Sequence, residues 1–300
     1  MQISHATRQG GREYQEDVVG VLKLKDGRTL IWVCDGHGGA RCAQYITRFL
    51  QAHGEKHLSK KHREDLMGLV VNANAAWTQE CLKALGVSRP PGDAEERRVL
   101  FEVTATAKVR EAYERKGLES GSTIALLLVD PVQCRAYWTH VGDSRVVCKP
   151  LGQGHLRATQ DHKPNRKDLG PAGGSITRSK NDVPRINSDI AVGRALGDNT
   201  STLWSSLRQD PHEQLEVSWP RAWTIRFVVG SDGIFDVLSN EEVIGEAQPQ
   251  LTAAMVLDFV ERRAVAAELD NLSAVVVTLS PATTKPRRKP TTRRARRGTA

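Results

Sequence analysis

Leu30-Ile31-Trp32-Val33-Cys34-Asp35-Gly36-His37-Gly38-Gly39 joins an apolar strand to a glycine-rich turn, with an aspartate at the junction. Two later stretches repeat the arrangement. Asp232-Gly233 follows Phe227-Val228-Val229-Gly230-Ser231, and Asp270-Asn271 precedes Leu272-Ser273-Ala274-Val275-Val276-Val277. A carboxylate beside an apolar strand is fixed at the rim of a core, where approach to a second carboxylate costs repulsion. Several of them at one rim call for a multivalent cation, and all-oxygen donors of this hardness select Mg²⁺ or Mn²⁺. The stretch therefore predicts a metal-dependent hydrolase built on strands.

Around these anchors the chain alternates between strand and helix periodicity. Gln2–Arg8, Val18–Lys25 and Thr29–Cys34 read as strands, the last two joined by an Asp26-Gly27 hairpin signal. Residues 38–51 place Cys42, Ile46, Phe49 and Leu50 on one helical face, and a second helix near 60–84 carries Leu66, Leu69, Val70, Ala73 and Trp77. A break at 85–93 precedes a third helix near 94–116. Strands follow at 122–129, 134–140, 144–149 and 155–159. A Gly-, Pro- and Lys/Arg-rich loop subdomain near 161–190 interrupts them, and strands return at 189–195 and 223–229. Ser239 with Glu242 is a capping-box signature, Leu251–Glu268 reads as a helix, and Ser273–Leu279 as the last strand. This order is neither a repeat nor a regular βαβ alternation; it predicts an α+β fold of antiparallel sheets covered by helices.

Three hundred residues with 39% hydrophobic content suffice for one large domain. The net charge of +8 belongs to the C-terminus. Eight of the 43 Lys and Arg residues (Lys285, Arg287, Arg288, Lys289, Arg293, Arg294, Arg296, Arg297) lie in 281–300, which holds no acid; the remaining 35 equal the 35 Asp and Glu. A formally neutral body argues against a nucleic-acid-binding domain. The division is a domain over 1–280 and a basic, disordered tail over 281–300. The tail offers a contact for nucleic acid, an import receptor or acidic proteins, or is simply solvated; without interleaved aromatics, base stacking is not indicated. No apolar run reaches membrane-spanning length, and the N-terminus lacks a signal pattern. Five scattered cysteines without a CxxC pair indicate reduced core residues rather than a disulfide framework. The expectation is an intracellular monomer, cytoplasmic, nuclear or both.

Beyond the three anchors the chain carries, in order, Gly10-Gly11-Arg12-Glu13-Tyr14-Gln15-Glu16-Asp17, Ser120-Gly121-Ser122-Thr123, Val141-Gly142-Asp143-Ser144-Arg145, Asp161-His162-Lys163-Pro164, Ala172-Gly173-Gly174, and Ala191-Val192-Gly193-Arg194-Ala195-Leu196-Gly197-Asp198. With Asp35-Gly36-His37-Gly38-Gly39, Ser231-Asp232-Gly233-Ile234-Phe235-Asp236 and Asp270-Asn271-Leu272-Ser273, the series resembles the metal-dependent Ser/Thr protein phosphatases of the PPM (type 2C) family, from about residue 2 to 280.

That resemblance implies an αββα sandwich, with two antiparallel β-sheets flanked by helices and a metal site at one edge. It implies two Mn²⁺ or Mg²⁺ ions per subunit, bridged by Asp35. The Gly36 carbonyl would bind one, Asp232 and Asp270 would complete the other, and Glu16 and Asp17 would act largely through waters. Asp143 and Asp236 match positions that hold a weaker third ion in family members. A hydroxide activated by both ions would attack phosphoserine or phosphothreonine in phosphoprotein substrates without a covalent intermediate. Arg12 would hold the phosphate and His37 would protonate the departing oxygen. Plainer readings stand beside these roles: a hairpin turn for Asp143, a cap for Asp236, and backbone geometry for Gly121, Gly173, Gly193 and Gly197.

Asn165-Arg166-Lys167-Asp168-Leu169-Gly170-Pro171 replaces a longer acidic stretch of many members, and Arg178, Lys180 and Arg185 make the following segment basic, so substrate preference does not transfer. Asp35-Gly36-His37-Gly38 nearly matches the GDxHG of the other Ser/Thr phosphatase class, whose later strings are missing. Cys34 and Arg41 have the wrong spacing for a cysteine phosphatase loop. A catalytically inactive scaffold of the same fold is the alternative, and every bridging carboxylate it would need to have lost is present.

Overall fold

The strand at 29–34 is buried along its whole length, and its two faces feed two different cores. Leu30, Trp32 and Cys34 point one way, Ile31 and Val33 the other, as the twofold periodicity of a strand requires. A fully apolar strand of this kind lies inside a layered structure, and the layers are those expected. The computed structural model describes residues 1–59, 64–87, 111, 113–167, 169–170, 174–178, 183–199, 207–265 and 268–281.

In chain order the strands are β1 (Gln2–Arg8), β2 (Val18–Lys23), β3 (Thr29–Cys34) and β4 (Gly36–His37). After helices α1 (Arg41–His57) and α2 (Leu66–Ala84) come β5 (Gly121–Ser122), β6 (Ile124–Asp130), β7 (Arg135–Val141), β8 (Arg145–Pro150) and β9 (Arg157–Ala158). Then follow β10 (Ile176–Arg178), β11 (Pro184–Ile186), β12 (Leu196–Gly197), β13 (Gln214–Ser218) and β14 (Ile225–Gly230). Helices α3 (Asp232–Phe235), α4 (Asn240–Ile244) and α5 (Ala253–Arg263) lead to β15 (Leu272–Leu279).

One antiparallel sheet runs β1-β15-β14-β8-β9 and the other β13-β7-β6-β3-β2. Ile31, Val33, Leu127, Trp138, Phe227, Val229, Val275 and Val277 fill the space between them. The outer face of the second sheet packs on α1 and α2 through Trp32, Leu126, Ile46, Leu50, Val70 and Trp77. The outer face of the first packs on α3–α5 through Val228, Val276, Ile234, Val256 and Val260. The αββα sandwich expected from the sequence is the fold. β1 pairs with β15 from Gln2↔Thr278 to Arg8↔Leu272, so strands far apart in the chain are neighbours in one sheet.

Helix boundaries follow local chemistry. Ser239 Oγ accepts from Glu242 N at 3.3 Å while Glu242 Oε2 accepts from Ser239 N at 2.9 Å, the capping box that opens α4. Thr252 caps α5, whose Ala253, Val256, Leu257 and Val260 are buried at helical spacing. On β14, Arg226 interrupts the apolar run and is fully buried. Its guanidinium donates to the carbonyls of Ile244, Gly245, Gln248 and Pro249 at 2.7–3.1 Å, satisfying the end of α4 and the loop after it. Arg226→Met is expected to strand these acceptors and cost at least about 3 kcal/mol. A lower urea midpoint at unchanged m-value would show it; an unchanged midpoint would refute the role.

Three expectations are revised. The segment 189–195 forms only isolated bridges at Ile190 and Arg194, while β13 at 214–218 was not foreseen. The loop subdomain near 161–190 contains the β10–β11 hairpin, with Ile186, Ile190, Val192, Ala195 and Leu207 as a small core. The helix near 94–116 lies almost wholly outside the described residues, as do Lys180, Gly173 and the tail from 282. Among the described residues no helix is long and apolar enough to cross a membrane.

Candidate active site

Antiparallel register brings the sequence anchors to one end of the sandwich. β2 and β3 pair Val18 with Cys34, so Asp17 and Asp35 stand one residue beyond, side by side. β14 ends at Gly230, opposite Ala274 and Arg145, which sets Ser231-Asp232, the start of β15 and Asp143 at the same end. A cleft of ≈ 680 Å³ opens there, lined by Arg12, Glu16, Asp35, Gly36, His37, Asp143, Asp232 and Asp270. Of the ten residues expected to have a catalytic or metal-binding role, Asp17 and Asp236 are not on its wall. Asp17 is buried behind it and accepts from Ser231 Oγ at 2.8 Å, and Asp236 lies one helical turn beyond Asp232, its N–H donating to the Asp232 carbonyl.

Short side chains tie the turns together. Asp35 N donates to Thr123 Oγ1 at 3.3 Å, which bonds Ser144 at 2.7 Å. Asn271 accepts from Glu16 N at 2.7 Å and donates to the carbonyls of Gln9 and Tyr14, pinning the segment that carries Arg12 and Glu16 onto β15. Gly36 is required by contact: a Cβ there would stand 2.7 Å from the Glu16 carbonyl oxygen. Arg12 forms an ion pair with Asp270.

The electrostatics are those of crowded carboxylates. Burial and then the charges of Asp17 and Asp232 hold Asp35 well above the usual carboxylate range. Burial raises Asp17 to about 6, and burial with the Asp143 charge raises Asp232 to about 7. Asp35 is within hydrogen-bonding reach of both neighbours. Asp17 Oδ1 and Asp143 Oδ1 are buried without a hydrogen-bond partner. Among the described residues no three His, Cys, Asp or Glu side chains are already arranged to hold one ion. The all-oxygen donor set, the orphaned oxygens and the mutual repulsion nevertheless fit a hard divalent cation.

These shifts carry a sign. In the metal-free protein, Asp17, Asp35 and Asp232 keep protons that the unfolded chain gives up near pH 4. The contribution of Asp17 and Asp232 is complete below that value and is lost as pH rises through about 6 and about 7, and Asp35, also raised, acts in the same direction. His140, lowered by burial, opposes this near neutrality, but His37 acts with the carboxylates. Melting of the EDTA-treated protein is therefore expected to shift to lower temperature from pH 5 to 8, with Mn²⁺ restoring most at the high end. A melting temperature that rises across this window would contradict the shifts.

Two neighbours of known position but unassigned role complete the site. Lys163 Nζ lies 2.7 Å from Asp143 Oδ2, giving that carboxylate a cation of its own. Asp198, buried at 2% exposure, bonds His37 Nε2 at 2.7 Å. Burial alone would lower the His37 imidazole, but the charge and hydrogen bond of Asp198 outweigh it and leave a net rise. Both residues lie in motifs evident in the sequence; their partners are 20 and 161 positions away and invisible to it.

The family model of protein phosphatase 2C matches residues 6–272. Protein phosphatase 1B of Mus musculus is 30% identical over 92% of this chain and 69% of its own length; the Homo sapiens form is 29% identical over 92% and 56%. The chain thus spans little more than half of the human relative. The crystal structure of the serine/threonine phosphatase Stp1 from Staphylococcus aureus superposes with a TM-score of 0.61 at 16% identity, covering 93% of this chain and 95% of that one. The third finding agrees with the fold described above, and the match of the family model over most of the chain settles the assignment: the chain belongs to the protein phosphatase 2C family.

Proposed function

We propose that the chain is a metal-dependent protein serine/threonine phosphatase. The observation that carries this reading is the meeting of Asp17, Asp35 and Asp232, each holding its proton unusually firmly, beside a cleft that also presents Arg12 and His37. Asp35, Asp232, Asp270 and the Gly36 carbonyl would hold two Mn²⁺ or Mg²⁺ ions, with Glu16 and Asp17 completing them. Bound there, such ions would supply Lewis-acid charge and lower the pKa of a water toward neutrality.

The chain's own groups do the rest. Arg12 leaves Asp270 to present its planar fork to two phosphate oxygens, an exchange of one carboxylate for a dianion. His37, in hydrogen-bond contact with Asp198, donates a proton to the serine or threonine oxygen as it departs. Ser231 and Thr123 hold Asp17 and the Asp35 backbone in place. Asp143 and Asp236 would contribute a weaker third cation site.

Phosphoproteins are the proposed substrates, and the basic tail a contact for nucleic acid, an import receptor or acidic proteins. All five cysteines are free and buried, which suits a reducing intracellular compartment, cytoplasmic or nuclear. The test is phosphate release from phosphoserine and phosphothreonine peptides by the purified full chain with Mn²⁺ and with EDTA. Release confined to the Mn²⁺ arm is expected; full release in EDTA, or none in either arm, would overturn the reading.

A further inference from the structure

Three features of the chain serve one contact between side chains 161 residues apart. The small ladder β12-β5-β4 aligns Gly197 with Gly121 and Gly121 with His37. Asp198, the residue after Gly197, has φ +49°, a left-handed conformation that aspartate tolerates better than most side chains. From there its carboxylate crosses over Gly121 to reach the imidazole. A Cβ on residue 121 would stand 2.2 Å from His37 Nε2 and 2.3 Å from Asp198 Oδ2, so only glycine leaves the passage open.

The carboxylate is buried at 2% exposure, its Oδ1 bonded to His37 and its Oδ2 without any hydrogen-bond partner. Leaving a carboxylate oxygen unpaired in a buried place is costly, and the arrangement persists only where the surroundings impose it. His37 itself is partly exposed and lines the cleft. An imidazole has two distinct nitrogens, and the partner of one decides what the other can do. With Nε2 committed to Asp198, Nδ1 is the nitrogen left to the cleft.

We propose that Asp198 is the positioning residue for His37, fixing the ring through Nε2 so that Nδ1 delivers the proton to the departing Ser/Thr oxygen. The inference rests on the reading of His37 as the proton donor. As a water oxygen bonds to phosphorus and the ester P–O bond breaks, the proton moves from His37 Nδ1 to the ester oxygen, so that inorganic phosphate and a neutral alcohol leave; Asp198 exchanges no proton and touches no substrate.

The experiment compares kcat and KM for a phosphoserine peptide and for p-nitrophenyl phosphate, whose phenolate leaves without protonation. Asp198→Gly removes the carboxylate and suits the left-handed backbone. Gly121→Ala keeps both side chains and pushes them apart. Each is measured alone and combined with His37→Gln, after circular dichroism has shown a folded protein. Either variant is expected to lower kcat on the peptide about 10- to 100-fold, the range for groups that orient another ligand or catalyst. KM and turnover of p-nitrophenyl phosphate should stay within about threefold, and no further loss should appear once His37 is Gln. If Asp198→Gly is unfolded, Gly121→Ala decides alone. Equal losses on both substrates, or added loss in the His37→Gln background, would overturn the proposal. If His37→Gln itself shows no difference between substrates, the proton-donor reading fails instead.

Discussion

Asp35→Asn is expected to stop turnover while making the metal-free protein more resistant to heat. The two effects share a cause. Asp35 stands between Asp17 and Asp232, and desolvation together with the charges of these two neighbours raises its proton affinity. An isosteric amide is neutral without taking up a proton on folding and keeps a donor and an acceptor in the same place, so the apo fold loses that cost. The same change removes the carboxylate proposed to hold the metal ions. Loss of activity should exceed the ~10–100-fold typical of groups one shell further from a metal. Stabilisation by Mn²⁺, about 2.7 kcal/mol at a hundredfold excess over Kd for a single site, should largely vanish. Melting curves of wild type and variant with EDTA and with Mn²⁺ check both halves. An apo variant less stable than wild type would mean that Asp35 is a structural partner rather than a strained one.

His37→Gln is expected to cost about 10²–10⁴-fold in kcat on a phosphoserine peptide, the usual contribution of a general acid. On p-nitrophenyl phosphate the loss should be under tenfold, because the leaving group needs no proton. Arg12 should behave differently, its loss appearing chiefly in KM, since its proposed phosphate contact would be made in the ground state and the transition state alike. Steady-state kinetics on both substrates separates the two residues. Equal losses for His37→Gln on peptide and aryl phosphate would remove it from the proton-transfer step.

The layers of the fold were legible because their strands are apolar on both faces or strictly alternating. β3 and β6 are almost wholly apolar, β14 is broken only by Arg226 and β15 by Ser273 and Thr278, and Asp35, Asp232 and Asp270, each beside one of these runs, line the cleft. The Asp26-Gly27 turn fixed the β2–β3 register, which in turn set Asp17 beside Asp35. Ile190-Ala191-Val192 is apolar but not a strand: Ile190 and Val192 pack into the small core beside the cleft, and a Cβ at Gly193 would stand 2.7 Å from the Lys163 carbonyl oxygen. That close packing leaves a bent segment with isolated bridges, not a strand. β13 is short and at a sheet edge, with only Leu215 and Val217 facing the core, too brief a pattern to stand out. Arg226 in an apolar run gave no hint of the carbonyls it would satisfy. Asp198 and Lys163 sat in motifs that drew notice, but their roles depend on side chains brought near only by the folded sheets.

Calorimetric titration of Mn²⁺ into the EDTA-stripped full chain tests the central claim most directly, because it asks whether these carboxylates exchange protons for cations. Near pH 7, wild type is expected to take up two ions per chain, or two tight and one weak, with protons released in proportion to the raised Asp17, Asp35 and Asp232. Repeating the titration in buffers of different ionisation enthalpy gives the proton count, and Asp35→Asn should abolish the tight phase. Fewer than two ions in a chain that still dephosphorylates peptides, or uptake without proton release, would contradict the account.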